Sequence, residues 1–117
     1  MFSFFLLCNF IIIGTEEDIE EWKVGIEKLA MEKNIYCKIG AHEEWGVSNP
    51  HPLLDHAVKC FGFNRLLYES NWFVSKACGF TYNVCVDTTK DAMIRNGATE
   101  DDLKDVFVRN AEKVYKL

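Results

Sequence analysis

Residues 65–76 read RLLYESNWFVSK, an apolar run that passes directly into a polar and aromatic one. Residues 65–68 are rich in apolar and aromatic side chains, a composition typical of a buried strand. Glu69, Ser70 and Asn71 would then lie at the carboxyl end of that strand. Parallel α/β folds place their chemistry at such strand ends. The stretch therefore predicts both a parallel sheet and the position of a functional site.

A second strand is predicted 30 residues earlier, at residues 35–39 (IYCKI), where it ends at Gly40. This spacing is that of a βαβ unit. Residues 1–13 (MFSFFLLCNFIII) are almost wholly apolar, but a membrane span needs about 20 such residues. Two interpretations stay open for them, a buried parallel strand and a start created by truncation.

Helical periodicity fills the segments between these strands. Thr15 with Asp18, and Thr99 with Asp102, resemble capping boxes at the starts of two helices. Pro52 suits the first turn of another helix and Gly62 suits its end. The predicted inward-facing residues of the four helices are Ile19, Trp22, Ile26 and Leu29; Leu53, Leu54, Ala57, Val58 and Phe61; Tyr82, Cys85, Val86, Met93 and Ile94; and Leu103, Val106, Phe107, Ala111, Val114 and Leu117. The order strand, helix, strand, helix, strand, helix, helix predicts the α/β class with parallel strands.

Composition excludes some functions and favours a compartment. The chain has 117 residues and a formal net charge of -5, with no basic run, which argues against nucleic-acid binding. The odd number of cysteines, five, and the absence of CxxC spacing favour buried, reduced thiols and a cytoplasmic location. We expect a small-molecule substrate and neither a nucleic-acid nor a membrane partner.

Polar side chains at the two strand ends are candidate site residues. Glu69 could act as a general base or ligand, and Asn71 could orient a water or a substrate carbonyl, since its amide both donates and accepts. Lys38, inside an apolar strand, could bind a substrate carboxylate at the sheet end or could lie on an exposed edge. The alternative for Glu69 and Asn71 is a polar turn that satisfies backbone groups.

Other loop residues have weaker signals. Among the histidines, His42 follows the second predicted strand and is a candidate substrate-binding residue, whereas His51 is expected to be solvated and His56 structural. Their spacing is not that of a three-histidine zinc site. Glu43 and Glu44 could pair with Glu69 in acid/base chemistry or could be solvated acids. The aromatic side chains that could line an apolar substrate pocket are Trp45, Trp72 and Phe73, and Trp72 could instead pack in the core.

Four segments in order resemble the amidohydrolase-related (amidohydrolase 2) family. RLLYESNWFVSK resembles its last barrel strand, R-hydrophobic-hydrophobic-F-[GE]-S-[DN]-[WF]-P-V, and YCKIG at residues 36–40 resembles the strand before it. DHAVKCFG at residues 55–62 resembles the helix leading to FG-x-[DN]-R. The tail at residues 107–117, FVRNAEKVYKL, resembles the closing F-x-x-N-A-x-x-x-Y-x-L helix.

This resemblance implies a partial (β/α)8 barrel, about the last three strand–helix units, from a hydrolase of lactones, amides or related carboxylates. In many members an aspartate at the position of Asn71 binds metal or activates water; asparagine does not ionise, although a subset of the family carries ESN. Phe73 replaces the usual proline. The family's first-strand H-x-H is absent, so a divalent metal is expected, if at all, in a longer parent protein.

Completeness separates two hypotheses. A full barrel runs about 250 residues. We expect one partial barrel domain over residues 1–117, with 1–14 as the apolar strand or truncated start and 15–117 as the family-like part. In the first hypothesis the missing barrel portion belongs to an active hydrolase. In the second, the chain is a catalytically silent α/β domain for binding or assembly that self-associates through its apolar first segment.

Overall fold

Three parallel strands form the sheet of this protein. The computed structural model describes residues 5–8, 15–40, 49–70 and 72–117, with only the backbone of residues 5–8. The strands β1 (Phe5–Cys8), β2 (Ile35–Gly40) and β3 (Leu66–Glu69) lie side by side in chain order. Both neighbouring pairs are parallel, as predicted from the sequence. The rest of the predicted first strand lies outside the described residues.

The two faces of the sheet have different surroundings. Because successive side chains of a strand point to opposite faces, Cys37, Ile39 and Leu66 share one face. These three side chains belong to the hydrophobic core that the helices build against the sheet. The buried Tyr36 and Leu67 lie on the second face and outside that core cluster. The second face is also the one to which Lys38 and Glu69 point.

Helix α1 (Glu16–Ala30) begins at the predicted capping box. The Thr15 hydroxyl accepts a hydrogen bond from the Asp18 amide at 3.2 Å, and the Asp18 carboxylate accepts one from the Thr15 amide at 2.9 Å. Such a cap stabilises a helix by about 1 kcal/mol. Trp22 and Ile26 are buried on the inner face, as predicted. The helix ends at Ala30, one residue after Leu29, the last predicted inward-facing residue.

Helix α2 (His51–Phe61) confirms its predicted boundaries and its predicted buried face. Pro52 lies in its first turn, and Gly62 ends it with a φ of 71°, which favours glycine. A 3₁₀ turn (Phe63–Arg65) then leads into β3. The five predicted inward residues are all buried, namely Leu53, Leu54, Ala57, Val58 and Phe61.

The segment after β3 differs from the sequence prediction. Helix α3 (Trp72–Ala77) occupies a stretch expected to be a loop, because six residues are too few to show a helical period. In α4 (Tyr82–Arg95) the expected inward residues Tyr82 and Ile94 are about half exposed. The buried positions are Cys85, Thr89, Ala92 and Met93. Thr89 lies on the same buried face of α4. A pattern of apolar residues does not identify it, because its side chain is polar.

The last helical segment has three parts. Helix α5 (Glu100–Lys104) starts at the predicted Thr99–Asp102 capping box, and a π-helical turn (Asp105–Arg109) joins it to α6 (Asn110–Tyr115). Val106 is buried, as predicted, but Leu117 is 88% exposed because the helix has already ended. The prediction of an inward-facing Leu117 was wrong, and the π turn was not predicted. π turns occur often at functional positions.

The cysteines and helix lengths bear on two further predictions. Cys37 and Cys85 are buried free thiols and Cys60 is partly buried, but Cys78 is exposed, which corrects the expectation for that residue. It follows α3 at a turn, where little protein covers it. Within the ranges given above, none of the helices combines the length and the apolar character that crossing a membrane requires.

Asp55 ties α2 to α4. Its carboxylate accepts hydrogen bonds from Arg95 Nη2 at 2.6 Å and from Asn96 Nδ2 at 2.9 Å. Burial alone would raise the pKa of Asp55, but the hydrogen bonds from Arg95 and Asn96 and the charges of Arg95 and Lys59 together lower it. A lowered folded-state pKa means that the tie stabilises the fold above the unfolded pKa of about 3.9.

This tie predicts a specific response to acid. As the pH falls below about 4 and through the folded-state pKa of Asp55, its contribution should be lost. We expect Asp55→Asn to cost about 1 kcal/mol at pH 7, a modest value because both partners are partly exposed, and to flatten the acid limb of stability against pH. Chemical denaturation between pH 2 and 7 measures this. The exposed Asp91→Asn is the control, and equal pH profiles for both variants would contradict the prediction.

Candidate functional site

Lys38 and Glu69 form an ion pair at the carboxyl ends of β2 and β3. In the strand register Lys38 lies opposite Leu67 and Gly40 opposite Glu69, so the two charged side chains point to the same face. Lys38 Nζ lies 3.6 Å from Glu69 Oε2, and the two side chains are only 24% and 18% exposed. Strand β2 is the middle strand of the described sheet, which contradicts the alternative of an edge position for Lys38.

Gly40 brings the two strand ends close together. Its φ of 132° lies in the region that favours glycine, and a Cβ atom there would overlap the carbonyl oxygen of Glu69. The backbone of β2 can therefore approach β3 at Glu69 only with glycine at this position. This explains in physical terms why the sequence IYCKI is followed by a glycine.

The paired charges have a clear chemical capacity. A lysine ammonium carries three donors, so Lys38 can hold Glu69 and still donate to an oxygen of a substrate. A carboxylate can accept a proton from water, as a general base does. A partly buried ion pair at a strand end is therefore able to orient a carbonyl or carboxylate substrate and to activate water beside it.

Trp72 starts α3 directly after this strand end. Its ring is half-buried and meets the ring of Tyr82 edge-on, with centroids 5.4 Å apart and an interplanar angle of 81°. This contact joins α3 to α4. Phe73, for which a place in the lining of a substrate pocket was predicted, is 87% exposed.

Several predicted site residues lie outside the described part of the chain. They are His42, Glu43, Glu44, Trp45 and Asn71. The structure thus brings together Lys38 and Glu69, and it places Trp72 three residues beyond Glu69. The roles predicted for His42 and Asn71 stay predictions.

The two histidines in the described part of the chain, His51 and His56, lie on α2. His51 is exposed at the start of α2. His56 faces α1, with its Nε2 atom 3.3 Å from the Lys23 carbonyl, 3.4 Å from Glu27 Oε1 and 3.5 Å from Cys60 Sγ. Burial, aided by the Glu27 carboxylate, raises the pKa of the Cys60 thiol. A raised pKa disfavours the thiolate, so this Cys–His contact lacks the activation of a nucleophile.

The described residues do not form a cluster of metal ligands. In residues 15–40, 49–70 and 72–117, no three His, Cys, Asp or Glu side chains lie close enough together to hold a metal ion. At the strand ends the Lys38 ammonium stands beside Glu69, where its positive charge opposes an incoming cation. The described residues by themselves therefore do not fit a metal site, and the chemistry below does not rely on one.

Two buried polar residues were not predicted from the sequence, one just after the carboxyl end of β3 and one at the start of that strand. Ser75, fully buried on α3, donates from its hydroxyl to the Ser70 carbonyl at 3.2 Å. Asn110, 6% exposed, donates from Nδ2 to the carbonyls of Phe63 at 2.7 Å and Leu66 at 2.8 Å. Asn110 lies within the closing helix motif, but the motif does not indicate which carbonyls its amide contacts.

The structure also has a hollow that the candidate site residues do not line. It has a volume of about 420 Å³ and lies between α4 and the last helical segment. Its lining includes Val86, Leu103 and Phe107, with Lys90 and Lys104 among the remaining side chains. None of the candidate site residues lines it, so its size does not make it the site.

Comparison with known proteins decides the family. A family model described as amidohydrolase matches residues 8–117. The chain belongs to the amidohydrolase family. An L-fucono-1,5-lactonase from Burkholderia ambifaria is 34% identical over 67 residues, which cover 51% of this chain and 22% of the lactonase.

Solved structures agree on the fold of this amidohydrolase-family chain. A crystal structure of an amidohydrolase from Burkholderia multivorans with bound zinc superposes with a TM-score of 0.82 at 16% identity. A second crystal structure of that protein, with bound HEPES, gives a TM-score of 0.80 at 16% identity. The match covers 98% of this chain but only 44% and 45% of those chains. The chain thus shares their fold and spans less than half of their length.

Proposed function

We propose that this chain forms about the last three strand–helix units of a (β/α)8 barrel, in a longer hydrolase of the amidohydrolase family. The substrate of that hydrolase is a lactone, an amide or a related carboxylate. The single observation that carries the proposal is the Lys38–Glu69 pair, which lies at the carboxyl ends of parallel strands on the face opposite the core cluster. In a closed barrel that face is the interior, and those ends form the mouth.

The hydrolytic step follows from these side chains. Glu69 accepts a proton from water as the water oxygen adds to the substrate carbonyl carbon. Lys38 donates a hydrogen bond to the carbonyl or carboxylate oxygen, where negative charge develops. Collapse of the tetrahedral adduct breaks the C–O bond of a lactone or the C–N bond of an amide, and the leaving oxygen or nitrogen takes up the proton. We further propose that Asn71 and His42 orient water and substrate in this step.

Three observations support this assignment. The family model covers residues 8–117, the fold matches 44% of a solved amidohydrolase, and a curated lactonase shares a 67-residue segment. The lactonase covers too little of the chain to fix the substrate, so lactones and amides both belong in the test. We further propose that Trp72 binds substrate, because it is the first residue of α3, the helix that follows the carboxyl end of β3.

The proposal is tested in the longest open reading frame that contains this chain. We expect the purified product to hydrolyse one or more members of a panel of sugar lactones, aliphatic lactones and amides. The isolated 117-residue chain should show less than about 1% of that rate, because most of the barrel's loops are absent. A product that hydrolyses no panel member, yet self-associates or binds a partner, would support the silent binding or assembly domain instead.

A further inference from the structure

We infer that Ser75 is a positioning residue that holds Glu69 in its working orientation. This inference rests on the proposed function and adds to it a residue outside the strand ends. Ser75 is a fully buried polar residue on α3. A buried hydroxyl costs free energy unless it is hydrogen-bonded, so such a residue in an otherwise exposed helix calls for an explanation.

The partner of the Ser75 hydroxyl is the carbonyl of Ser70. This carbonyl lies one residue beyond Glu69 and is contacted at 3.2 Å. The bond closes the chain back on itself over five residues, immediately after β3 ends. It therefore restrains the backbone at the point where the regular ladder no longer holds it.

The orientation of Glu69 depends on that restraint. The strand register places Glu69 on the same face as Lys38, and a rotation of the backbone at the strand end would turn the Glu69 side chain away from Lys38. Gly40 fixes the strand end from the β2 side, because its backbone lies directly against the Glu69 carbonyl. Ser75 follows Glu69 in the chain, and it restrains the next peptide group through its hydrogen bond to the Ser70 carbonyl.

Two further contacts hold α3 in place. The amide of Phe80 donates to the Ser75 carbonyl at 3.1 Å, and Trp72 meets Tyr82 of α4 edge-on. Other side chains of α3 are exposed, with Phe73 87% and Val74 42% exposed. A helix with so little buried apolar surface contributes mainly by where it holds Ser75.

Epistasis with Glu69 tests the inference. In the longer protein, Ser75→Ala should lower kcat by about 10-fold, with KM changed less than about 3-fold, because only the orientation of the base is disturbed. In a Glu69→Gln background the same substitution should change kcat by less than 2-fold. A residue that only stabilises the fold would lower both backgrounds alike, so equal losses overturn the inference.

Two controls make the outcome unambiguous. Lys76→Ala, at the exposed neighbouring position, should leave kcat unchanged. Ser75→Cys keeps a side chain of similar size with a weaker donor and should lose less activity than Ser75→Ala; if Ser75→Ala does not fold, this variant carries the same two-background test. If Glu69→Gln itself has no effect, the proposed function fails; if only Glu69→Gln has an effect, the positioning role alone fails.

Discussion

Replacement of Asn110 with alanine is expected to lower the free energy of unfolding by about 3 kcal/mol. The Asn110 amide donates to two carbonyls, those of Phe63 and Leu66, which flank the turn that leads into β3. Removing it deletes two hydrogen bonds and leaves two carbonyl oxygens without that donor at a site where Asn110 is only 6% exposed. Thermal or chemical denaturation of the longer protein measures the loss.

The control variants separate hydrogen bonding from volume. Asn110→Asp has nearly the same shape but places a carboxylate against two carbonyl oxygens, so it should destabilise more than alanine does. Asn83→Ala, at an exposed position on α4, should change stability by less than about 0.5 kcal/mol. A loss below 1 kcal/mol for both Asn110 variants would show that the last helix does not fix the start of β3.

Replacement of Glu69 with glutamine is expected to lower kcat/KM of the longer protein by at least about 100-fold, which corresponds to about 2.7 kcal/mol. Glutamine keeps the size of the side chain and can still accept a hydrogen bond from Lys38, but it cannot take a proton from water. The loss should therefore appear in kcat. Steady-state kinetics on whichever lactone or amide proves to be the substrate gives this value.

Glu100→Gln is the matched control for charge. Glu100 is exposed at the start of α5, far along the chain from the strand ends. Its replacement removes the same single negative charge and should leave kcat/KM within 2-fold of the wild type. Equal activity of the wild type and of Glu69→Gln would remove Glu69 from the mechanism.

Local signals in the sequence predicted the architecture well. Both capping boxes, the five buried residues of α2 and the glycine that ends it depend on neighbours within a few residues. The parallel pairing of β2 with β3 followed from the spacing of a βαβ unit. The four ordered segments that resemble the amidohydrolase-related family pointed to the family that residues 8–117 match.

Long-range polar contacts could not be predicted in the same way. Asn110 finds its partner carbonyls 44 and 47 residues away, and an asparagine in a helix gives no hint of which carbonyl it will reach. The sequence predicts Lys38 as a candidate inside an apolar strand and Glu69 as a candidate at the carboxyl end of the next strand. Their pairing depends on the strand register, which a single sequence does not specify. The short helix α3 and the π turn lack any periodic signal at all.

We propose that the tips of β2 and β3 act as one unit at a hydrolytic mouth, and a double-mutant cycle of Lys38 and Glu69 measures their coupling. The kcat/KM values of the wild type, Lys38→Met, Glu69→Gln and the double variant form this cycle. We predict large losses for both single variants and a double variant at least about 5-fold more active than their product, a coupling of about 1 kcal/mol. Wild-type activity of the single variants would contradict this proposal. A double variant whose loss of kcat/KM equals the product of the two single losses within 2-fold would also contradict it.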